Sequence, residues 1–182
     1  MKVLITGAGG FVGKNLQQHL AERKDVEVVC FTRANTVAEL PRLLDGVEFV
    51  FHLAGVNRPQ DPQEFVTGNA DLTAALVAAV EGEMRASGRR IAIVCSSSTQ
   101  AARDNPYGAS KRAAEDVLRA ADEEFAQIGI ARLADAQLFV GLAGLVAPRD
   151  ESEIGGDVAL APREGGGTIA RVTVPCADPE AR

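Results

Sequence analysis

Short apolar runs alternate with amphipathic stretches along the first two thirds of the chain. Lys2 to Thr6 is a β-branched apolar run that ends in glycines. From Phe11 to Glu22 the apolar positions Val12, Leu16 and Leu20 recur every four residues, the spacing of one helix face. Val26 to Phe31 predicts a second strand, Glu39 to Leu44 a short helix, and Glu48 to Leu53 a third strand. Pro59, Asp61 and Pro62 break the chain, and a long Ala/Val/Leu-rich helix follows from about Glu64 to Ala86. Ile91 to Cys95 predicts a buried strand and Ser96 to Asp104 a polar loop. Asn105-Pro106 then opens a further helix, with Asn as N-cap and Pro at the first helical position. Ala113, Val117, Ala121 and Phe125 continue that helix's apolar face. Strands alternating with helices predict an α/β fold, a doubly wound parallel sheet covered on both faces.

After about Leu133 the pattern weakens. Gly155-Gly156, Gly165-Gly166-Gly167 and four prolines punctuate residues 134–182. We expect an irregular C-terminal tail there, with at most two short strands, Gln137 to Val140 and Thr168 to Val174. The expected organisation is one domain over 1–133 followed by this tail.

Composition narrows the function classes. A length of 182 residues suits one domain, and 46% apolar with 24% charged residues suits a globular one. The net charge of −6 comes without a basic cluster, which argues against nucleic acid as a partner. No run reaches the roughly 20 apolar residues that span a bilayer. Met1 to Gly7 turns glycine-rich at once, unlike a signal peptide, so no membrane partner and a cytoplasmic location are expected. Cys30, Cys95 and Cys176 are odd in number and far apart. Cys30 and Cys95 sit in apolar runs and read as reduced thiols, and no metal site is expected.

Gly7-Ala8-Gly9-Gly10-Phe11-Val12-Gly13 follows the first strand directly and opens the first helix. A tight turn needs positive φ, close approach of a pyrophosphate needs the absence of Cβ, and a helix N-terminus offers amides. Gly7, Gly10 and Gly13 have the spacing G-x-x-G-x-x-G, so a Rossmann fold that binds a dinucleotide is expected. An acid at the end of the second strand would bind the ribose 2′-hydroxyl of NAD; the chain instead reads Phe31-Thr32-Arg33, with an Arg suited to the 2′-phosphate of NADP(H). The candidate cofactor contacts are Gly7, Gly10, Phe11, Val12 and Gly13 at the turn, Thr32 and Arg33 after the second strand, and Leu53, Ala54 and Gly55 after the third. Gly55 is expected to let the chain pass close to the adenosine side.

Tyr107 and Lys111 stand four residues apart at the start of a helix, which puts both side chains on one face. A neighbouring ammonium favours the phenolate and brings a tyrosine into range for proton transfer. Lys111 can also reach the nicotinamide ribose, so the pair belongs to the cofactor site as well. The third member of the set should be a hydroxyl at the end of the buried strand; Ser98 is the first choice and Ser97 the second. His52, inside an apolar strand, reads as a satisfied structural residue, and Asn69 as a residue that begins or kinks a helix.

Together these residues resemble the extended short-chain dehydrogenase/reductases, with their glycine-rich first turn, His-Leu-Ala-Gly-like strand end and Tyr-x-x-x-Lys. The likeness covers about residues 1 to 133. More narrowly, Cys30 to Asn35, Phe51 to Pro59, Ser96 to Ala101 and Asp104 to Gly108 are similar to the reductase domain of the bifunctional capsular-polysaccharide synthesis reductases. The resemblance implies reduction by NADPH of the 4-keto group of a UDP-2-acetamido-2,6-dideoxyhexulose, with Asn57 and Arg58 helping to position the nucleotide sugar. It also implies a possible homodimer through the helices at 64–86 and 106–125, where Ala74, Ala75, Ala78 and Ala79 permit close packing. Arg132-Leu133 still fits, but Ala134-Asp135-Ala136-Gln137 departs from the family pattern, as a chain truncated with an altered reading frame would. A second reading therefore stands beside the enzyme: a dinucleotide-binding module without a substrate pocket.

Overall fold

The structure, a computed structural model, describes residues 1–57, 59–125, 128–133, 157–162 and 168–173. Five strands form one parallel sheet: β1 (Lys2–Thr6), β2 (Glu27–Phe31), β3 (Phe49–His52), β4 (Ala92–Ser98) and β5 (Ile128–Leu133), in the order β2-β1-β3-β4-β5. Helices fill the crossovers. α1 (Phe11–Ala21) joins β1 to β2, and a 3₁₀ turn (Val37–Glu39) with α2 (Leu40–Leu44) joins β2 to β3. Between β3 and β4 lie α3 (Gln63–Phe65), a π-helical segment (Val66–Asp71) and α4 (Leu72–Ser87). A 3₁₀ turn (Thr99–Ala102) and α5 (Pro106–Phe125) lead from β4 to β5. The strand order reverses between β1 and β3, and such a switch point leaves a crevice at the carboxyl ends of the strands.

The sheet is apolar on both faces, as a doubly wound sheet must be. Leu4, Val50 and Ile93 pack with Leu40, Leu44, Leu76, Val80 and Leu118 on the side of α2, α4 and α5. Their neighbours Val3, Ile5, Phe51 and Val94 point the other way and meet Leu16 and Leu20 of α1. Asn105 caps α5 through its side chain, which accepts the Gly108 amide at 2.8 Å. The residue types expected to start that helix do so.

Four features differ from expectation. Ser96, Ser97 and Ser98 belong to β4 and not to a polar loop, because β5 pairs with them at Ala131, Arg132 and Leu133; a parallel neighbour overrides the weak strand preference of serine. The long helix expected from Glu64 is interrupted by the π-helical segment, where Gly68 leaves room for the Val56 side chain. On α5 the buried residues are Ala114, Leu118 and Ala121 with Val117 partly covered, while Ala113 is exposed. The helix is rotated because Lys111 and Glu115 also face inward. In the tail, β6 (Asp157–Pro162) and β7 (Thr168–Thr173) form an antiparallel pair. The second matches the strand expected over Thr168–Val174 as far as Thr173, the first was not foreseen, and Gln137 to Val140 lies outside the described residues, as do Val174 and Cys176.

Candidate functional site

The turn after β1 is built from its glycines. Gly7 has φ +68°, and a Cβ there would lie 2.7 Å from the Ala54 nitrogen, so only glycine lets β1 leave the sheet against the end of β3. A Cβ on Gly13 would strike the Gly7 carbonyl oxygen and come within 2.7 Å of the Ala8 Cα. These two glycines therefore serve the turn's own packing. Gly9 is different: the nearest atom to a Cβ there is the Thr32 methyl at 4.0 Å, which leaves space above the turn. Gly10 is the N-cap of α1 with no side-chain cap bond. The first-turn amides of a helix lack intrahelical acceptors, and an anion suits them.

This turn opens onto a cleft of about 660 Å³ at the switch point, lined by Gly7, Gly9, Gly10, Thr32, Arg33, Asn35, Leu53, Ala54, Gly55 and Val56 among others. Of the predicted cofactor contacts, the cleft collects Gly7, Gly10, Thr32, Arg33, Leu53, Ala54 and Gly55, whereas Phe11, Val12 and Gly13 stand behind the turn on α1. Arg33 is exposed, and among the described residues no carboxylate pairs with it. Asn35, which the sequence did not single out, shapes this corner: its Oδ1 accepts from the Thr32 amide at 2.9 Å. Glu39 in turn accepts from the Thr36 amide at 2.7 Å, and that bond holds its carboxyl below the ordinary range.

At the other end, Tyr107 stands in the first turn of α5, its ring centroid 5.9 Å from that of Phe65. Lys111, one turn on, is buried, and its Nζ donates to the Ser96 carbonyl at 3.3 Å. Burial pushes its ammonium down. A Cβ on Gly55 would lie 2.8 Å from Lys111 Nζ and 2.7 Å from Asn69 Oδ1. What this glycine admits is thus the lysine and the asparagine, behind its place in the cleft lining. Ser98 ends β4, and its Oγ accepts the Gln100 amide at 3.1 Å, which leaves the hydroxyl proton to donate. The hydroxyl of Ser97, the alternative, is committed to the buried carboxylate of Glu115. Asn57 is exposed just beyond the cleft lining, and Arg58 lies outside the described residues.

A buried polar chain ties the two ends together. Ala54 N–H donates to Thr6 Oγ1 at 3.2 Å, and Thr6 Oγ1 lies 2.7 Å from His52 Nδ1. His52 Nε2 lies 2.9 Å from Thr73 Oγ1, which donates to the Asn69 carbonyl at 2.7 Å. Since Thr73 has spent its proton, His52 must donate from Nε2 and accept at Nδ1, a neutral ring. Burial, followed by the positive charge of Lys111, pushes its pKa down to about 3. The Asn69 side chain then holds Val56 through both its amide and carbonyl, at 3.0 Å each, and donates to Ser110 Oγ at 3.0 Å. Ser110 Oγ donates to the Tyr107 carbonyl at 2.8 Å. A lone asparagine in an Ala/Val/Leu-rich helix was the signal for this; its partners come from strand ends and helices far apart in sequence.

Among the described residues, no helix is long and apolar enough to cross a membrane, and no group of three His, Cys, Asp or Glu could hold a metal ion.

Comparison with known proteins places this geometry. Over 124 residues, 68% of this chain and 32% of the relative, it is 56% identical to the UDP-2-acetamido-2,6-beta-L-arabino-hexul-4-ose reductase of Pseudomonas aeruginosa. It is 34% identical over 138 residues, 66% of this chain and 42% of the relative, to a ceramide reductase of Caulobacter vibrioides. The matches span less than half the length of these curated relatives. Among solved structures, the capsular polysaccharide assembling protein CapF of Staphylococcus aureus aligns at a TM-score of 0.61 with 28% identity, covering 94% of this chain and 54% of that one. UDP-glucuronic acid 4-epimerase of Bacillus cereus, in complex with NAD, aligns at 0.63 with 22% identity over 72% of this chain and 56% of that one, a likeness of fold. The model of the NAD dependent epimerase/dehydratase family matches residues 3–136, and the chain, with its glycine turn, switch-point cleft and Tyr107/Lys111 pair, belongs to that family.

Proposed function

We propose that the chain is an NADP(H)-dependent reductase of the 4-keto group of a UDP-linked deoxy amino sugar, serving capsule or O-antigen precursor synthesis in the cytoplasm. The observation that carries this reading is the seat of Lys111: its ammonium reaches Gly55 in the cleft lining while standing one helical turn behind Tyr107. The relatives that reduce or epimerise UDP-sugars support the substrate class. The cleft fits a dinucleotide by the open space over Gly9 and the uncapped start of α1, and exposed Arg33 would take the 2′-phosphate.

Held there by the glycine turn and Arg33, a reduced nicotinamide dinucleotide would supply the hydride for the carbonyl carbon. Tyr107 donates the proton to the carbonyl oxygen, and Ser98, whose hydroxyl proton is left to donate, polarises that oxygen. Lys111 favours the phenolate left behind and orients the cofactor ribose. Asn57 and Arg58 would meet the nucleotide sugar. The exposed Ala74 and Ala78 of α4 suit a homodimer through α4 and α5.

A specific observation also favours the second reading, a dinucleotide-binding module: every lining residue of the cleft falls between Gly7 and Leu72, in the dinucleotide half. Titration of the purified chain with NADPH and NADH, followed by nicotinamide fluorescence, tests the cofactor. Preference for NADPH, lost selectively in Arg33→Ala, is expected. Turnover of a UDP-4-keto sugar then separates enzyme from module, and binding of neither dinucleotide overturns both readings.

A further inference from the structure

One ionisable group near the site has no part in the reaction written above. Glu115 is 1% exposed, a buried carboxylate on α5 facing the end of β4. An isolated carboxylate is costly to bury, so its partners matter. Ser97 Oγ donates to one of its oxygens and the Arg119 guanidinium to the other. Ser97 adjoins Ser96, whose carbonyl receives Lys111, and Glu115 stands four residues after Lys111 on α5. Tyr107, Lys111, Glu115 and Arg119 thus follow one another at single-turn spacing, with alternating charge after the phenol.

We propose that Glu115 is a positioning residue of the site: clasped by Ser97 and Arg119, it binds β4 to α5 and holds a fixed negative charge one turn behind Lys111, keeping that lysine protonated where it serves Tyr107. The inference rests on the reductase reading for its purpose, though not for its electrostatics.

The titratable groups around Lys111 are His52 from β3, Cys95 from β4, and Tyr107 and Glu115 from its own helix; the π-helical segment offers the neutral Asn69. His52 is held at about 3 and Cys95 is pushed up to about 12, in both cases chiefly by burial, so neither carries charge near neutral pH. Cys95 and then Glu115 oppose the desolvation of Lys111; with the Cys95 thiol neutral near pH 7, Glu115 is the one that supplies negative charge there.

The test titrates Lys111 directly in the folded chain without dinucleotide or substrate. Lysines occur at positions 2, 14, 24 and 111, so reductive ¹³C-methylation gives few signals, and Lys111→Arg assigns the one that matters. In Glu115→Gln the Lys111 midpoint should fall by about one pH unit or more. In Arg119→Gln, which removes a positive charge and leaves the carboxylate, it should rise; Glu115→Asp should recover part of the first shift. Packing alone would not produce shifts of opposite sign. Unchanged midpoints, or shifts in the same direction, overturn the proposal. If Glu115→Gln fails to fold by circular dichroism, Arg119→Gln decides alone, since Arg119 is one third exposed and its loss leaves the core filled. Opposed shifts in a chain that binds no NADPH would retain the charge arrangement and reject the reductase reading.

Discussion

Acidification from pH 7 to pH 5 should destabilise this fold by an amount set by a single buried ring. His52 is satisfied as a neutral donor–acceptor between Thr6 and Thr73, and its pKa falls from 6.5 to about 3 in the fold. In the unfolded chain it takes up a proton as pH passes below 6.5, and the folded chain refuses that proton until pH approaches 3. Stability is therefore fully present above the unfolded value and is lost as pH falls through the window between them. Linkage gives a loss of about 2 kcal/mol between pH 7 and pH 5. The carboxylates with lowered pKa, Asp25 and Glu39, start from 3.8 and 4.5, so their losses fall mostly below pH 5, outside the range compared. Urea unfolding at the two pH values should show the midpoint lower by about 1 M at pH 5, for ordinary denaturant slopes. A His52→Gln chain should be less stable at pH 7 but nearly flat over the same range. A wild-type midpoint that does not move, or a variant with the same slope, would refute this account of the buried ring.

Other expectations follow from the same contacts. Gly7→Ala forces a side chain into positive φ and against the Ala54 backbone, and should cost at least about 2 kcal/mol in thermal unfolding. Asn69→Ala strands the Val56 amide and carbonyl and should cost about 1–3 kcal/mol, with weaker dinucleotide binding by fluorescence as the loop at Gly55 loosens. Tyr107→Phe should lower turnover by about 10²–10⁴-fold in an absorbance assay at 340 nm, with a much smaller loss of NADPH affinity.

Much of the scaffold is legible in the sequence because local pattern and global role agree. Strands β1 to β3 are apolar on both faces, and Gly7 and Asn105 announce the turn and the helix start they make. Ser96 to Ser98 defeat the reading because polarity suggests a loop, while their strand state is conferred by β5, more than thirty positions onward. Ala113 misleads for a related reason: a helix stripe is assigned by apolarity, and here the inward stripe includes a lysine and a glutamate. Of the proposed catalytic set, Tyr107 and Lys111 are visible by their spacing and Ser98 by its place at the end of a strand. Asn35, Phe65 and Glu115 are not, and Asn69 is legible only as a helix start or kink, because their roles consist of partners such as Thr32, Tyr107, Ser97 and Val56 that only the fold brings near.

The buried polar chain explains why the two halves of the site must form together. Thr6 closes β1, His52 closes β3, and Thr73 and Asn69 belong to the crossover that follows; each has used its hydrogen-bonding capacity on the next. Breaking any link leaves a buried donor or acceptor without a partner, and each such orphan costs about 1–3 kcal/mol. That penalty is comparable to the whole effect of acidification worked out for His52. The turn that would hold a pyrophosphate and the helix start that carries the phenol are thereby held in one register, through Ala54 at one end and Ser110 at the other. A substitution at Thr73, which does not itself line the cleft, should for that reason weaken dinucleotide binding as well as stability. Loss of stability alone in Thr73→Val would mean that the chain fills the core without aligning the site.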